Sequence, residues 1–254
     1  MQVGLIGAGN MARAMARGWG RPVLCSDVVS ERALDLARET GGEALDSNAE
    51  LARRADLVVL CHKPAQLKAI AAEVAPHAKA VASILGATPL GALHEAYPKR
   101  PVYRFLPSVP VEVRHGALIH AADEPQDPAL DEQVRALFAE LGLLVTLDDA
   151  LVDVAMGLMS CAPAYVALVA EAQIDAGVRH GVPPAQAAEL VVQTLAGTAE
   201  LLRLRGYDTL AVRREVTSPG GSTARGLDAL ERGGLRKAFS DALDAVLLKG
   251  RWRQ

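Results

Sequence analysis

Aromatic side chains are scarce, 4% of the 254 residues, so a core has to be built from Ala, Leu and Val. That composition suits closely packed helices and parallel strands more than a β-sandwich. A basic excess is missing too: 27 Lys and Arg stand against 30 Asp and Glu, a formal net charge of −3. A chain that neutralises many phosphates is normally basic, so no nucleic-acid partner is expected. No uninterrupted apolar run reaches the roughly 18 residues that a membrane span needs, so no membrane partner is expected either. The N-terminus lacks the basic, apolar and small-residue succession of a cleaved signal peptide, since a glycine-rich motif starts at Gly4. Cysteine is limited to Cys25, Cys61 and Cys161, with no CxxC and no metal-type spacing to a histidine pair. These read as reduced, mostly buried thiols of a cytoplasmic protein without a bound metal. The six histidines show no HxxH or HExxH spacing and read as solvated or capping side chains, His62 excepted because it precedes Lys63-Pro64 at a strand end.

What is present describes an ordinary globular chain, half apolar and 22% charged, long enough for one large domain or two modest ones. Its character changes near residue 148. Before that point short apolar runs alternate with helical stretches: Val3–Ile6, Val23–Ser26, Leu57–Leu60, Ala80–Leu85, Val102–Leu106, Ala117–His120 and Leu143–Leu147 read as strands. Continuous apolar runs, rather than period-two alternation, indicate strands covered on both faces. Their alternation with helices over Met11–Trp19, Arg32–Glu39 and Gln66–Val74 predicts an open, doubly wound, mostly parallel sheet of the Rossmann type over residues 1–147. From 148 to 254 the strand signal stops. Leu151–Met159, Ala164–Arg179, Ala185–Arg205, Leu210–Val216, Ala224–Arg232 and Leu235–Leu248 read as helices, giving an all-α C-terminal domain. Long helices that are apolar over much of their circumference need a partner to cover them, which a second subunit would supply. The acidic group Asp148, Asp149 and Asp153 reads as a helix start, where negative charge is favoured. Arg203, Arg205, Arg213 and Arg214 read as a solvated or intersubunit face.

Two stretches carry chemistry. Gly7-Ala8-Gly9-Asn10-Met11-Ala12 has the form GxGxxA between a strand and a helix. The first Gly permits the tight turn, the second lets backbone approach a diphosphate, and the small third residue lets helix and strand pack closely. A diphosphate would rest on the unpaired amides of the helix N-terminus. Asp27 ends the next strand about 20 residues on, where a ribose contact is expected. A carboxylate there accepts from a 2′-hydroxyl and argues for NAD(H), whereas Ser26 and Arg32 could serve the 2′-phosphate of NADP(H). The residues leave both open. The second stretch is Thr217-Ser218-Pro219-Gly220-Gly221-Ser222-Thr223, ahead of a helix expected near Ala224. Glycine amides, hydroxyls and a helix N-terminus make a cradle for an anion, in this setting a substrate carboxylate. Its bland alternative is a helix capped by Ser222 or Thr223 after a Pro-Gly turn.

With those residues in view, the chain resembles the pyrroline-5-carboxylate reductase family over nearly its whole length. The likeness rests on Gly4–Arg17, on Asn48 before the helix leading to Asp56, and on Cys61-His62-Lys63-Pro64. It continues through Arg104–Pro110, Pro163-Ala164-Tyr165, Asp175-Ala176-Gly177 with Gly181 and Pro183, and Val216–Thr223 with Gly226 and Leu230-Glu231. The resemblance implies hydride transfer from NADPH or NADH to the C=N carbon of 1-pyrroline-5-carboxylate, giving L-proline. It implies that Gly7, Gly9, Asn10 and Met11 hold the diphosphate, and Ser26 the adenosine ribose or its phosphate. Asn48, His62, Lys63 and Pro64 would line the cofactor, and Leu85-Gly86 would approach the nicotinamide side. Ser218, Gly220, Gly221, Ser222 and Thr223 would hold the substrate carboxylate. The family likeness also implies a homodimer or a ring of dimers, with substrate between a helical dimer and the nucleotide domain.

An iminium is already electrophilic, so no metal or covalent nucleophile is required; Thr223 or a water is the candidate donor to the imine nitrogen. Two segments depart from the family pattern. Its usual Met-Pro-Asn-Thr-Pro reads Leu106-Pro107-Ser108-Val109-Pro110, and its usual Gly-Ser-Gly-Pro-Ala-Tyr reads Ser160-Cys161-Ala162-Pro163-Ala164-Tyr165. Lost hydrogen-bonding groups change what a pocket discriminates. Two other readings therefore stand beside the first: reduction of a different cyclic imine, and a dinucleotide-binding homologue without catalysis.

Overall fold

A computed structural model describes the chain from residue 1 to residue 248. The chain divides into two compact units, Met1–Pro163 and the residues from Ala164 onward.

The first unit is built on eight strands: β1 Val3–Ile6, β2 Leu24–Ser26, β3 Glu43–Ala44, β4 Leu57–Leu60, β5 Val81–Ser83, β6 Val102–Pro107, β7 Gly116–Ala121 and β8 Gly142–Leu147. Between them run α1 Asn10–Trp19, α2 Ser30–Thr40, α3 Asn48–Arg54, α4 Leu67–Val74, α5 Leu90–Ala96 and α6 Pro128–Ala139; α7 Asp149–Met159 follows β8. The sheet order is β3-β2-β1-β4-β5-β6-β7-β8, parallel except between β6 and β7. The expected doubly wound, mostly parallel sheet is therefore present. The chain leaves β1 in one direction to build β2 and β3, then returns to the other side of β1 for β4. That reversal opens a crevice at the carboxyl ends of β1 and β4, the switch point where such sheets bind ligands.

Alternation along the strands explains why both faces are buried. Val3, Leu5, Leu57 and Val59 join one core cluster, while Ile6, Val58 and Leu60 join another. Successive strand residues point to opposite faces, so helices are needed on each. The few aromatics are concentrated in the first cluster. Phe105 stacks on Phe138 with centroids 3.8 Å apart, Trp19 meets Phe138 edge-on, and the Trp19 indole donates to the Leu137 carbonyl at 2.9 Å. His120 completes the stack against Phe105 at 4.9 Å and is buried, which corrects its reading as a solvated side chain. A third cluster seats α7, with Val152 packed among Leu90, Leu106, Ile119 and Ala121.

The second unit contains most of α8 Ala162–Arg179, then α9 Pro184–Leu204, α10 Thr209–Glu215, α11 Ser222–Arg232 and α12 Leu235–Leu247. Every expected helix is there. Among its described residues only Ala187 and Val212 are buried, while Leu168, Leu190 and Leu204 are 65%, 64% and 77% exposed. Taken end to end, Asp149–Arg179 is long and apolar enough, by length and composition, to cross a membrane. Ser160 and Pro163 interrupt its apolar run, and the backbone turns at Ser160 and Cys161.

Candidate functional site

The crevice at the switch point is shaped by the backbone of three strand ends. Gly7 follows β1 with φ +102°, and a Cβ there would lie 2.8 Å from the Cys61 carbonyl and 2.9 Å from the His62 nitrogen. No side chain fits, and the left-handed φ separately favours glycine. The Gly7 N–H donates to the Ser26 carbonyl at 2.8 Å, tying β1 to the end of β2. Above Gly9 the space is open for 4 Å, and Gly9 caps α1 without a side-chain hydrogen bond. The first amides of α1 are thus free to meet an anion. Ala12, the third position of the motif, is buried against the sheet. Each glycine-motif position has the environment its role requires.

Gly7, Gly9, Ser26, Asp27, Asn48, His62 and Lys63 share one cleft of about 620 Å³. Within it runs a hydrogen-bonded chain. Buried Ser26 donates through Oγ to Asn48 Oδ1 at 2.7 Å, and Asn48 Nδ2 donates to Glu73 Oε2 at 2.8 Å. His62 places Nδ1 2.9 Å from the Lys63 carbonyl, an acceptor, so the proton sits on Nδ1. Its Nε2 is buried and has no partner among the described residues, and burial lowers the His62 pKa. The imidazole is neutral at physiological pH. Asn10 and Met11 lie in the first turn of α1, beside the cleft wall rather than in it; Pro64 opens a 3₁₀ turn and is exposed. Leu85 is buried in the second core cluster and Gly86 is half-buried; neither lines the cleft.

In the second unit, Gly221 caps α11, so Ser222 and Thr223 occupy its first two positions. That corrects the alternative in which one of those hydroxyls was the cap. Gly220 adopts φ +67°, and a Cβ on Gly221 would fall 2.4 Å from Ser218 Oγ. The hydroxyls of Ser218, Ser222 and Thr223 make no hydrogen bond among the described residues. Three open hydroxyls and the leading amides of an 11-residue helix form the donor set that a carboxylate requires.

One group escaped the sequence reading. Arg104, on β6 and 2% exposed, reaches Asp149 Oδ1 at 2.6 Å and Asp153 Oδ1 at 2.8 Å. The acids are therefore structural, as expected: Asp148 and Asp149 stand at the start of α7, and Asp149 and Asp153 also bind that helix to the sheet. The signal was available: an arginine inside the continuous run Val-Tyr-Arg-Phe-Leu needs a buried anionic partner.

A family model described as "Pyrroline-5-carboxylate reductase dimerisation" matches residues 149–251, and one described as "NADP oxidoreductase coenzyme F420-dependent" matches residues 2–86. The pyrroline-5-carboxylate reductase of Thermus thermophilus is 35% identical over 261 residues, covering 98% of this chain and 97% of the relative. The chain belongs to the pyrroline-5-carboxylate reductase family. Pyrroline-5-carboxylate reductase 3 of Macaca fascicularis is 32% identical over 260 residues, covering 98% of this chain and 95% of that one. The solved structure of Plasmodium falciparum pyrroline carboxylate reductase with NADP bound matches at a TM-score of 0.87 and 26% identity, covering 97% of this chain and 95% of that chain.

The segments around Ser108 and Ser160-Cys161-Ala162, marked in the sequence as departures from the family pattern, meet in the structure. Ser160 Oγ donates to the Pro107 carbonyl at 3.3 Å. Buried Ser108 is engaged by the backbone of β7: its Oγ accepts from the Ala117 N–H at 2.9 Å and donates to the Ala117 carbonyl at 3.0 Å. Cys161 is a free, half-buried thiol.

Proposed function

We propose that this chain is an oligomeric reductase that converts 1-pyrroline-5-carboxylate to L-proline with NADPH as its hydride donor, NADH being the alternative donor. The supporting observation is the switch-point cleft. Its glycine loop is pinned by the Cys61–His62 backbone and left open above Gly9, in a chain related to these reductases over 98% of its length. A bound reduced nicotinamide supplies the hydride. The chain's residues do the rest by position and charge. The free amides of Gly9, Asn10 and Met11 hold the diphosphate, Gly7 shapes the loop around it with its own N–H bonded to the Ser26 carbonyl, and Ser26 and Asn48, already linked, hold the adenosine ribose. Lys63 and Pro64, with neutral His62, flank the cofactor on the β4 side, and the Leu85-Gly86 backbone borders its nicotinamide end. Ser218, Gly220, Gly221 and Ser222 hold the substrate carboxylate. Thr223 donates a hydrogen bond to the imine nitrogen, and a water serves where Thr223 does not. Orientation and exclusion of water supply the rate advantage, because the imine carbon is already electrophilic.

This reading assigns dinucleotide binding to residues 1–147 and substrate binding with dimerisation to 148–254. The assembly is a homodimer or a ring of dimers in the cytoplasm, where three free cysteines stay reduced. Purified protein given 1-pyrroline-5-carboxylate and NADPH should lose reduced-nicotinamide absorbance. A folded, oligomeric sample that is silent with both cofactors overturns the assignment. A second reading, a different cyclic imine on the same chemistry, is favoured by the Ser108 and Cys161 segments. Faster turnover of an imine with another ring size would select it.

A further inference from the structure

Asp27 and Arg32 both line the switch-point cleft, and their partners differ in a way that bears on which cofactor enters. Asp27 is committed to the protein's own backbone. Its Oδ2 accepts from the Ala8 N–H at 2.7 Å, inside the glycine loop, and its Oδ1 accepts from the Val29 N–H at 2.8 Å, just before α2. These are charge-assisted bonds on both oxygens, and they clamp the loop to the end of β2. Glu73 is similarly engaged by the Asn48 amide.

Arg32 is the opposite case. Its guanidinium makes no hydrogen bond or ion pair among the described residues, although Asp35 lies one helical turn away. Asp35 is taken instead by Arg13 and Arg38, and Arg17 and Arg54 also have carboxylate partners. Arg32 sits in the first turn of α2, whose cap Val29 offers no side-chain acceptor. An unpaired planar fork beside leading helix amides, at the mouth of a nucleotide cleft, is suited to a phosphate monoester.

We propose that Arg32 selects the cofactor by pairing with a ribose 2′-phosphate, while Asp27 acts as the positioning residue of the glycine loop rather than as a ribose acceptor. The proposal rests on the dinucleotide reading of the cleft. It separates two effects that a single acidic residue at the end of β2 would combine. Losing Arg32 removes affinity from phosphorylated ligands alone. Losing the Asp27 clamp loosens the diphosphate loop and weakens every dinucleotide alike.

The test is calorimetric titration of the full chain with NADPH, NADH, adenosine 2′,5′-bisphosphate and adenosine 5′-monophosphate. Arg32 is exposed, so Arg32→Ala leaves folding intact. It is expected to raise the dissociation constants of NADPH and the bisphosphate about tenfold or more, and to leave NADH within about twofold. Arg32→Lys is expected to recover part of the loss, as a point charge without the fork. Asp27→Asn is expected to weaken NADPH and NADH by the same factor, about three- to tenfold. Equal weakening of both cofactors by Arg32→Ala overturns the proposal. So does a selective gain for NADPH in Asp27→Asn, because that is how a ribose acceptor repelling a 2′-phosphate behaves. If the unaltered protein binds neither cofactor, the dinucleotide reading falls together with the proposal; NADH binding without NADPH binding overturns the proposal alone.

Discussion

In the first unit, β1, β4, β5 and β6 are buried at every residue, and helices close both faces of the sheet. In the second unit five helices bury two of their described side chains and hold out Leu168, Leu190 and Leu204. One unit satisfies its own apolar surface and presents a shaped cleft. The other carries an apolar surface far larger than its own packing consumes. Each fully covered Leu is worth about 1.5–3 kcal/mol, so that surface is a store of association energy. The dinucleotide half is thus complete as a folded object, whereas the helical half, which carries the family's dimerisation domain, depends on association.

Making the helical surface polar should separate the two units most completely. Leu168→Glu combined with Leu190→Glu should abolish the oligomer and all turnover, while NADPH binding by the first unit persists within about threefold. Light scattering and calorimetry on the same sample check both halves. A dimer that survives both charges would show that these helices are not covered by a partner.

Next in size is Arg104→Ala. It leaves Asp149 and Asp153 facing a hole on β6, and should cost about 3 kcal/mol by denaturant melt. Arg104→Lys should recover less than half of that loss, since one ammonium cannot replace a fork that reaches two carboxylates. An unchanged midpoint in Arg104→Ala would remove the staple from the account.

Within the first unit, the two loop glycines should separate stability from cofactor binding. Gly7→Ala forces a Cβ against the Cys61 backbone at positive φ, and should cost about 2 kcal/mol of stability together with cofactor binding. Gly9→Ala meets nothing within 4 Å and should melt like the parent, yet bind NADPH about tenfold more weakly where the diphosphate must approach. Equal stability losses in the two variants would contradict the assigned roles.

The smallest effect is a pH dependence confined to the first unit. His120 is held below its usual value of 6.5, chiefly by burial, with Asp131, Arg135 and Asp123 acting on it as well. A histidine kept neutral by the fold contributes stability that is full above the unfolded value. It is lost as pH falls below 6.5 toward the lower folded value. Melts at about pH 7.5 and about pH 5.5 should differ by about 1 kcal/mol more in the parent than in His120→Phe. An identical pH slope in both proteins would remove His120 as the cause.

How much of this was legible in the sequence depended on the kind of signal. β1, β4 and β6 stood out as short continuous apolar runs, and the helices of the second unit were set apart by Gly and Pro at 181–184, 206, 219–221 and 233–234. β3 was missed because Glu43 and Ala44 form a two-residue edge with no periodicity to read. α5 and α6 were passed over, although Asp127-Pro128 is a strong start: Asp127 accepts from the Ala129 and Leu130 amides and Pro128 needs no hydrogen bond. At the candidate site, the family resemblance supplied the neighbours Ser26, Asn48 and His62, and the glycine motif supplied the loop. It could not show that Asp27 was already bonded to Ala8, because that bond depends on where two loops meet in space. The pairing of Arg104 with residues 45 and 49 positions away was hidden for the same reason.

The most direct measurement is the initial rate of NADPH oxidation with 1-pyrroline-5-carboxylate set against carboxylate-free 1-pyrroline, in the parent and in Ser218→Ala with Thr223→Val. The account predicts that the parent prefers the carboxylate substrate by about a hundredfold in kcat/KM and that the double variant loses most of that preference. Equal turnover of the two imines by the parent would contradict it.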